Sequence, residues 1–256
     1  MVVSREGIDL RSGLESARVL SMVVDLRRLD ERPLDALRVL LVADVAGRVV
    51  EQLLGGEARL VVVESDTAAA LERRHAAEAL WISEPIARVQ DPSGAARAVG
   101  AATHLAFYPD DWDVSQVWSA ARARRIGAVW GHRMDAAHLL ELAGADQLVL
   151  RLALLRFHYL DSAELSVARV HRAEETLLRW RFKMAGWAER PPARPVDTQA
   201  VIARLIDDLD TGLALRFLHR VETDPQLASG TKFATFVALD RVLALDLAHQ
   251  VGRLRH

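Results

Sequence analysis

The sequence contains no cysteine. That absence excludes disulfides, thiolate metal ligands and cysteine nucleophiles, and it leaves the redox compartment unread. Lysine is nearly missing as well: Lys183 and Lys232 are the two, so 31 of the 33 lysine and arginine residues are arginine. We read that bias as the mark of a GC-rich genome rather than of a function. No uninterrupted apolar run approaches the ~18 residues of a membrane-spanning helix. The first residues carry Arg5, Glu6, Asp9 and Arg11 and lack the apolar segment of a signal peptide. A cytoplasmic location with no membrane partner is the expectation. The nine histidines include no HExxH and no paired ligand spacing within one helix, so neither a metal nor a cofactor is expected. Ser65, Ser119 and Ser229 lack the glycine context of a nucleophile elbow. A formal charge of -2 provides no global attraction for nucleic acid, though a local basic face stays open.

What is present suffices for a large core: 256 residues, 51% hydrophobic and 27% charged, enough for one large domain or two small ones. The first half alternates short apolar runs with helical periods. Ala17 to Val24 reads as a buried strand, and Leu37, Leu41, Val45, Val49 and Leu53 form one stripe of a helix closed by Gly55-Gly56. The spacing then predicts a strand over Ala58 to Glu64, a helix over Thr67 to Leu80, a short helix near Ala95 and a strand over Thr103 to Phe107. A helix from Asp113 to Arg125 and a strand from Gly127 to Trp130 complete the alternation. Strand and helix in turn imply an α/β parallel sheet covered on both faces.

After Met134 helical stripes alone are expected: Leu148, Leu152, Leu155 and Tyr159; then Val170, Ala173, Leu177, Trp180 and Met184. Beyond the proline-rich break from Arg190 to Pro195 come Ile202, Leu205, Leu209 and Leu213, and finally Phe236, Leu239, Leu243, Leu247 and Val251. The resulting plan is a Rossmann-like core over 1–134, a helical connecting segment over 135–190 and an all-α bundle over 191–256.

Three local patterns in the second half carry a family resemblance. The run His158-Tyr159-Leu-Asp-Ser-Ala-Glu-Leu165-Ser166 resembles HYRSPLDFS, Asp207 to Leu215 is similar to DDLNTPxAL, and Asp240 to Leu247 is similar to DRVLGLDL. All three belong to the cysteinyl-tRNA synthetases and the related cysteine ligases of mycothiol biosynthesis. In the first half Arg38 to Val45 resembles ARSYLVFDV, Val63 to Asp66 the strand ending NVTD, and His104 to Gln116 the segment DLIFPHHENEIAQ. The resemblance implies a class I synthetase core, with most of the family's connective insertion missing and no counterpart of its anticodon module after His256.

The letters that carry the family's chemistry are replaced. In the family, HIGH histidines and KMSKS lysines stabilise charge on the ATP phosphates. Here the first signature falls on Pro33-Leu34-Asp35-Ala36, where Asp35 repels phosphate, and the second on Arg133-Met134-Asp135. The family's zinc ligands fall near Ser21 or Met22, Pro109, Asp110 and Asp111, and one carboxylate is no zinc site. The resemblance thus implies that activation of cysteine by ATP is lost.

The densest polar cluster is Tyr108-Pro-Asp110-Asp111-Trp112-Asp113. It reads either as a lining of the old amino-acid pocket at the carboxyl ends of the strands, with Asp25, Asp66, His104, His132 and Arg133, or as a strand-to-helix turn capped by Asp113. Arg122-Ala-Arg124-Arg125 reads as a solvated helix face, with contact to a phosphate backbone as the sharper alternative. Trp112, Trp118 and Trp130 read as core or as the wall of a ligand site, and the neighbourhood of Trp180, Trp187 and the Arg190 to Pro195 connector as an interface. Three functions follow: a catalytically degenerate pseudoenzyme that binds tRNA or a partner protein, as a monomer or homo-oligomer; an enzyme that uses an activated donor such as aminoacyl-tRNA; or a small-ligand binding protein.

Overall fold

The run VLSMVVD forms β1 (Val19–Asp25), buried from Leu20 onward, as expected of a central parallel strand covered on both faces. The computed structural model describes residues 8–11, 14, 18–99, 104–109, 122–131, 141, 144 and 146–253. On one side β1 pairs in parallel with β2 (Glu57–Val63), from Val19↔Glu57 to Asp25↔Val63. On the other it pairs with β4 (Leu105–Pro109). β3 (Ala87–Val89) joins β2 and β5 (Arg122–Ile126) joins β4, giving a five-stranded parallel sheet of order β3-β2-β1-β4-β5. The order reverses between β1 and β4, which places the crevice of such sheets at the carboxyl ends of these two strands.

Pro33 starts α1 (Pro33–Leu53), where its fixed φ costs nothing, and Gly55 with φ 64° follows its end. α2 (Ala68–Ala79) is capped by Thr67, whose hydroxyl accepts from the Ala70 amide at 3.2 Å. α3 (Pro92–Val99) packs against the opposite sheet face, on Val23, Val61, Val63, Ala106 and Tyr108. Helix α1 covers the other face and is itself enclosed, with 15 of its 21 residues buried. The apolar core runs from Met22, Val24, Val62 and Phe107 through α1 into the helices beyond.

Those helices are α4 (Leu148–Leu155), α5 (Val167–Ala188), α6 (Gln199–Asp208), α7 (Thr211–Thr223) and α8 (Ser229–Leu243). The chain from 191 to 198 has no regular structure, as the prolines require. It is held by a hydrogen bond from the Val196 amide to Thr235 Oγ1 at 3.1 Å. Among the described residues no helix is long and apolar enough to cross a membrane.

Four expectations are corrected. Arg122 to Arg125 is not the end of a helix: it opens β5, where Leu105↔Arg122 begins the pairing with β4. Pairing on an existing edge overrides the helical propensity of alanine and arginine, and charged side chains suit an edge strand. The strand expected at 127–130 is β6 (Val129–Gly131), and it leaves the main sheet to pair with β7 (Ala163–Leu165). The second half is therefore not wholly helical, because a three-residue strand is too short to show a period. The stripe from Ile202 to Leu213 is split by Leu209, whose φ of 47° ends α6 before α7 begins. The last stripe stops at Ala244 with φ 51°, so Leu247 and Val251 lie in the turns that follow α8.

Candidate functional site

The crevice between β1 and β4 begins with Asp25, the last residue of β1. Its carboxylate is 1% exposed and is gripped by Arg27, Nε at 2.9 Å and Nη2 at 2.7 Å. Neighbouring carboxylates on this rim are also paired. Asp30 accepts from Arg73 at 3.0 Å, and the buried Glu64 accepts from Arg74 at 2.9 Å and Arg88 at 3.1 Å. Asp66 stands exposed on the loop before α2. His104 is corrected: it precedes β4, at the amino ends of the strands, where Nδ1 accepts from the Ser21 amide at 3.0 Å. A strand of this length puts it ~15 Å from the rim. Asp110, Asp111, Trp112, Asp113, His132 and Arg133 lie outside the described residues. Of the nine candidates, the structure thus brings Asp25 and Asp66 to the carboxyl rim.

The first turn of α1 faces the junction between the sheet and the bundle. Asp35 is buried there, with Oδ1 accepting from the Val129 amide at 2.5 Å and Oδ2 from Arg32 Nε at 2.6 Å. One turn on, Arg38 is 1% exposed and spans the junction. Its Nη1 donates to the carbonyls of Gly127 at 2.8 Å and Ala128 at 3.2 Å, and its Nη2 to the carbonyl of His158 at 2.8 Å. Burial lowers the Arg38 pKa to about 10, which still leaves it charged at neutral pH. Gly127 runs so close to the Asp161 carbonyl that a Cβ would collide with it. Both polar side chains of this turn are thus committed to holding chain segments together.

The three patterns in the second half are also structural joints. His158 Nε2 lies 3.2 Å from the Asp208 carbonyl, Ala163 to Leu165 form β7, and Ser166 caps α5. Asp210 caps α7 through the Leu213 amide at 2.8 Å, while Thr211 donates to the Leu155 carbonyl at 2.7 Å. Asp240 accepts from the amides of Leu245 and Leu247, both at 2.8 Å, and folds the chain back after α8. Arg181 on α5 then binds the carbonyls of Leu245 at 2.8 Å and Asp246 at 2.9 Å. Caps of this kind contribute about 0.5–2 kcal/mol each. The caps are local, but sequence order hid the pairing of His158 with Asp208, of Thr211 with Leu155 and of Arg181 with Leu245 and Asp246, since these join distant segments.

Among the described residues no group of three or more His, Asp or Glu side chains is placed to hold a metal. Trp180 is corrected as an interface residue: it is 2% exposed, with Nε1 donating to Glu222 at 2.8 Å. Trp187 is half-buried and packs edge-on against Phe236.

No family profile matches the chain. Among curated proteins, an L-cysteine:1D-myo-inositol 2-amino-2-deoxy-alpha-D-glucopyranoside ligase of Thermobifida fusca is 43% identical over 76 residues, 30% of this chain and 18% of the relative. A cysteine–tRNA ligase of Rhizobium leguminosarum bv. trifolii is 38% identical over 95 residues, 36% of this chain and 19% of the relative. Another, of Paracoccus denitrificans, is 29% identical over 136 residues, 50% of this chain and 28% of the relative. The chain therefore spans well under two thirds of these relatives' lengths. With their partial matches, the parallel sheet and the helical half behind it, the chain is a relative of the family that holds cysteine–tRNA ligase and L-cysteine:1D-myo-inositol 2-amino-2-deoxy-alpha-D-glucopyranoside ligase.

Proposed function

We propose that this chain is a catalytically degenerate relative of the cysteine ligases that forms no cysteinyl-adenylate and acts by binding tRNA. The observation that carries the first part is Asp35. Where the resemblance calls for phosphate-stabilising histidines, α1 opens on a buried carboxylate bonded through both oxygens to Val129 and Arg32. Bringing triphosphate to it sets like charges together at a buried position, where the repulsion is screened least. The absence of cysteine from the whole sequence and the replacement of the zinc ligands support the same reading. The tRNA part is supported by the resemblance of the chain to cysteine–tRNA ligases.

The test is ATP–pyrophosphate exchange in the presence of cysteine, with an active cysteine–tRNA ligase as control. Exchange at the background level is expected. Exchange above background overturns the degenerate reading, whatever the protein binds.

A further inference from the structure

Helices α5 and α7 leave between them an open groove of about 740 Å³. Arg156, Arg169, Arg179, Arg216 and Arg220 line it together with His219, and no carboxylate is among its lining residues. For a chain with a formal charge of -2 this is a strong local excess of one sign. Arg169 and Arg179 stand ten positions apart on α5, ~15 Å along the helix axis, so the cations form a track rather than a point.

The carboxylates nearby neutralise the track in part. Arg179 donates to Glu222 at 2.8 Å, Arg169 lies 3.5 Å from an exposed Glu164, and Arg216 lies 3.8 Å from Asp210. Arg156 has no carboxylate partner among the described residues; its Nη2 donates to Thr176 Oγ1 at 3.1 Å. Burial, then Arg179, Arg172 and Arg169, depress its pKa. A single cation at the end of α4 is explained by the helix dipole. Three further guanidiniums crowded onto it are not, and an incoming anion relieves that repulsion.

Two guanidiniums are held in place by aromatic rings, Arg169 5.4 Å from the centre of Phe157 and Arg220 5.7 Å from that of Phe217. Stacking fixes the planar fork that phosphate oxygens accept from. A groove of this volume and length exceeds what one phosphate fills, and it is open along its run. We propose that the α5–α7 groove is the docking site for the phosphate backbone of tRNA. The proposal rests on the tRNA-binding reading above and adds the surface that performs it.

The experiment measures binding of unfractionated tRNA by anisotropy from 50 to 200 mM salt. For the wild type, log Kd should rise linearly with log salt, since each neutralised phosphate releases counterions. The double variants Arg156→Gln/Arg169→Gln and Arg216→Gln/Arg220→Gln, all four residues lining the groove, should each weaken binding about tenfold and lower the salt slope by about one or more. Arg59→Gln, on β2 in the sheet half, should change neither. Arg156→Gln alone should keep or raise the melting temperature, because it relieves the repulsion from Arg179, Arg172 and Arg169. Unchanged affinity in both groove variants overturns the groove and leaves tRNA binding intact. A wild type that binds no tRNA at 50 mM salt overturns both. Groove-dependent binding of pyrophosphate or ATP that tRNA does not compete with also overturns it, by making the groove a small-anion pocket.

Discussion

Asp44 Oδ2 lies 2.6 Å from Arg151 Nη2, and neither side chain is exposed. The pair ties the middle of α1 to α4, and its remaining valences are filled. Arg48 and Ser83 also donate to Asp44, at 2.9 Å and 2.7 Å, while Arg151 donates to the carbonyls of Leu243 at 2.7 Å and Leu80 at 3.0 Å. Replacing Asp44 by alanine strands a buried guanidinium. The expected loss is about 3–5 kcal/mol of unfolding free energy by urea titration. A loss under about 1 kcal/mol would show that the pair can be dispensed with.

Asp35→Ala separates a structural role from an erased catalytic letter. If the carboxylate holds β6 to α1, its removal leaves the Val129 amide without its partner and costs about 1–3 kcal/mol. Differential scanning calorimetry reads this as a lower melting temperature. Unchanged stability would make Asp35 a bystander and weaken the reading of that turn as a joint.

Glu222 sets a pH dependence. Burial works to raise its pKa, but hydrogen bonds from Arg179, Lys183 and Trp180 outweigh burial and bring it from 4.5 to about 2. The folded state therefore holds the carboxylate more tightly ionised than the unfolded chain does. Its contribution is complete above about pH 5 and is lost as pH falls from there toward 2. Glu222→Gln should destabilise the protein at pH 7 by about 1–2 kcal/mol, with the difference from wild type shrinking toward pH 2. A difference that grows on acidification contradicts the assignment.

Gly127→Ala drives a Cβ into the backbone of Asp161. Since backbone on both sides must shift, a loss of about 2 kcal/mol or more is expected, together with loosening of the β6–β7 pair measured by amide exchange at Ala163, whose amide donates to Ala128.

The sheet was legible wherever apolar runs were long. The strands around Met22 and Val61 and the helix around Val45 fall within two residues of their expected starts or ends at most boundaries, because burial on both faces makes the strands largely apolar runs and gives the helix a long four-residue stripe. β3 and β7 escaped, being three residues each, and β5 escaped because its sequence is RARRI, which only its partner strand makes extended. At the carboxyl rim, the pairing of Asp25 with Arg27 is local enough to read. That of Asp30 with Arg73, or Glu64 with Arg88, joins residues far apart in sequence and had no signal. The basic groove left a faint one, in the helical spacing of Arg216 and Arg220. The contiguous run Arg122 to Arg125 gives a stronger signal in a sequence than arginines that share one helix face.

The enclosure of α1 also fixes how the molecule comes apart. Arg38, Leu41, Val42 and Val45 face Leu154, Leu155, Tyr159 and Leu209 across a small shared cavity, while the other side of the helix lies on the sheet. Neither half can be withdrawn without presenting a wet apolar flank of α1, so thermal melting should pass through one transition, with far- and near-ultraviolet dichroism falling together.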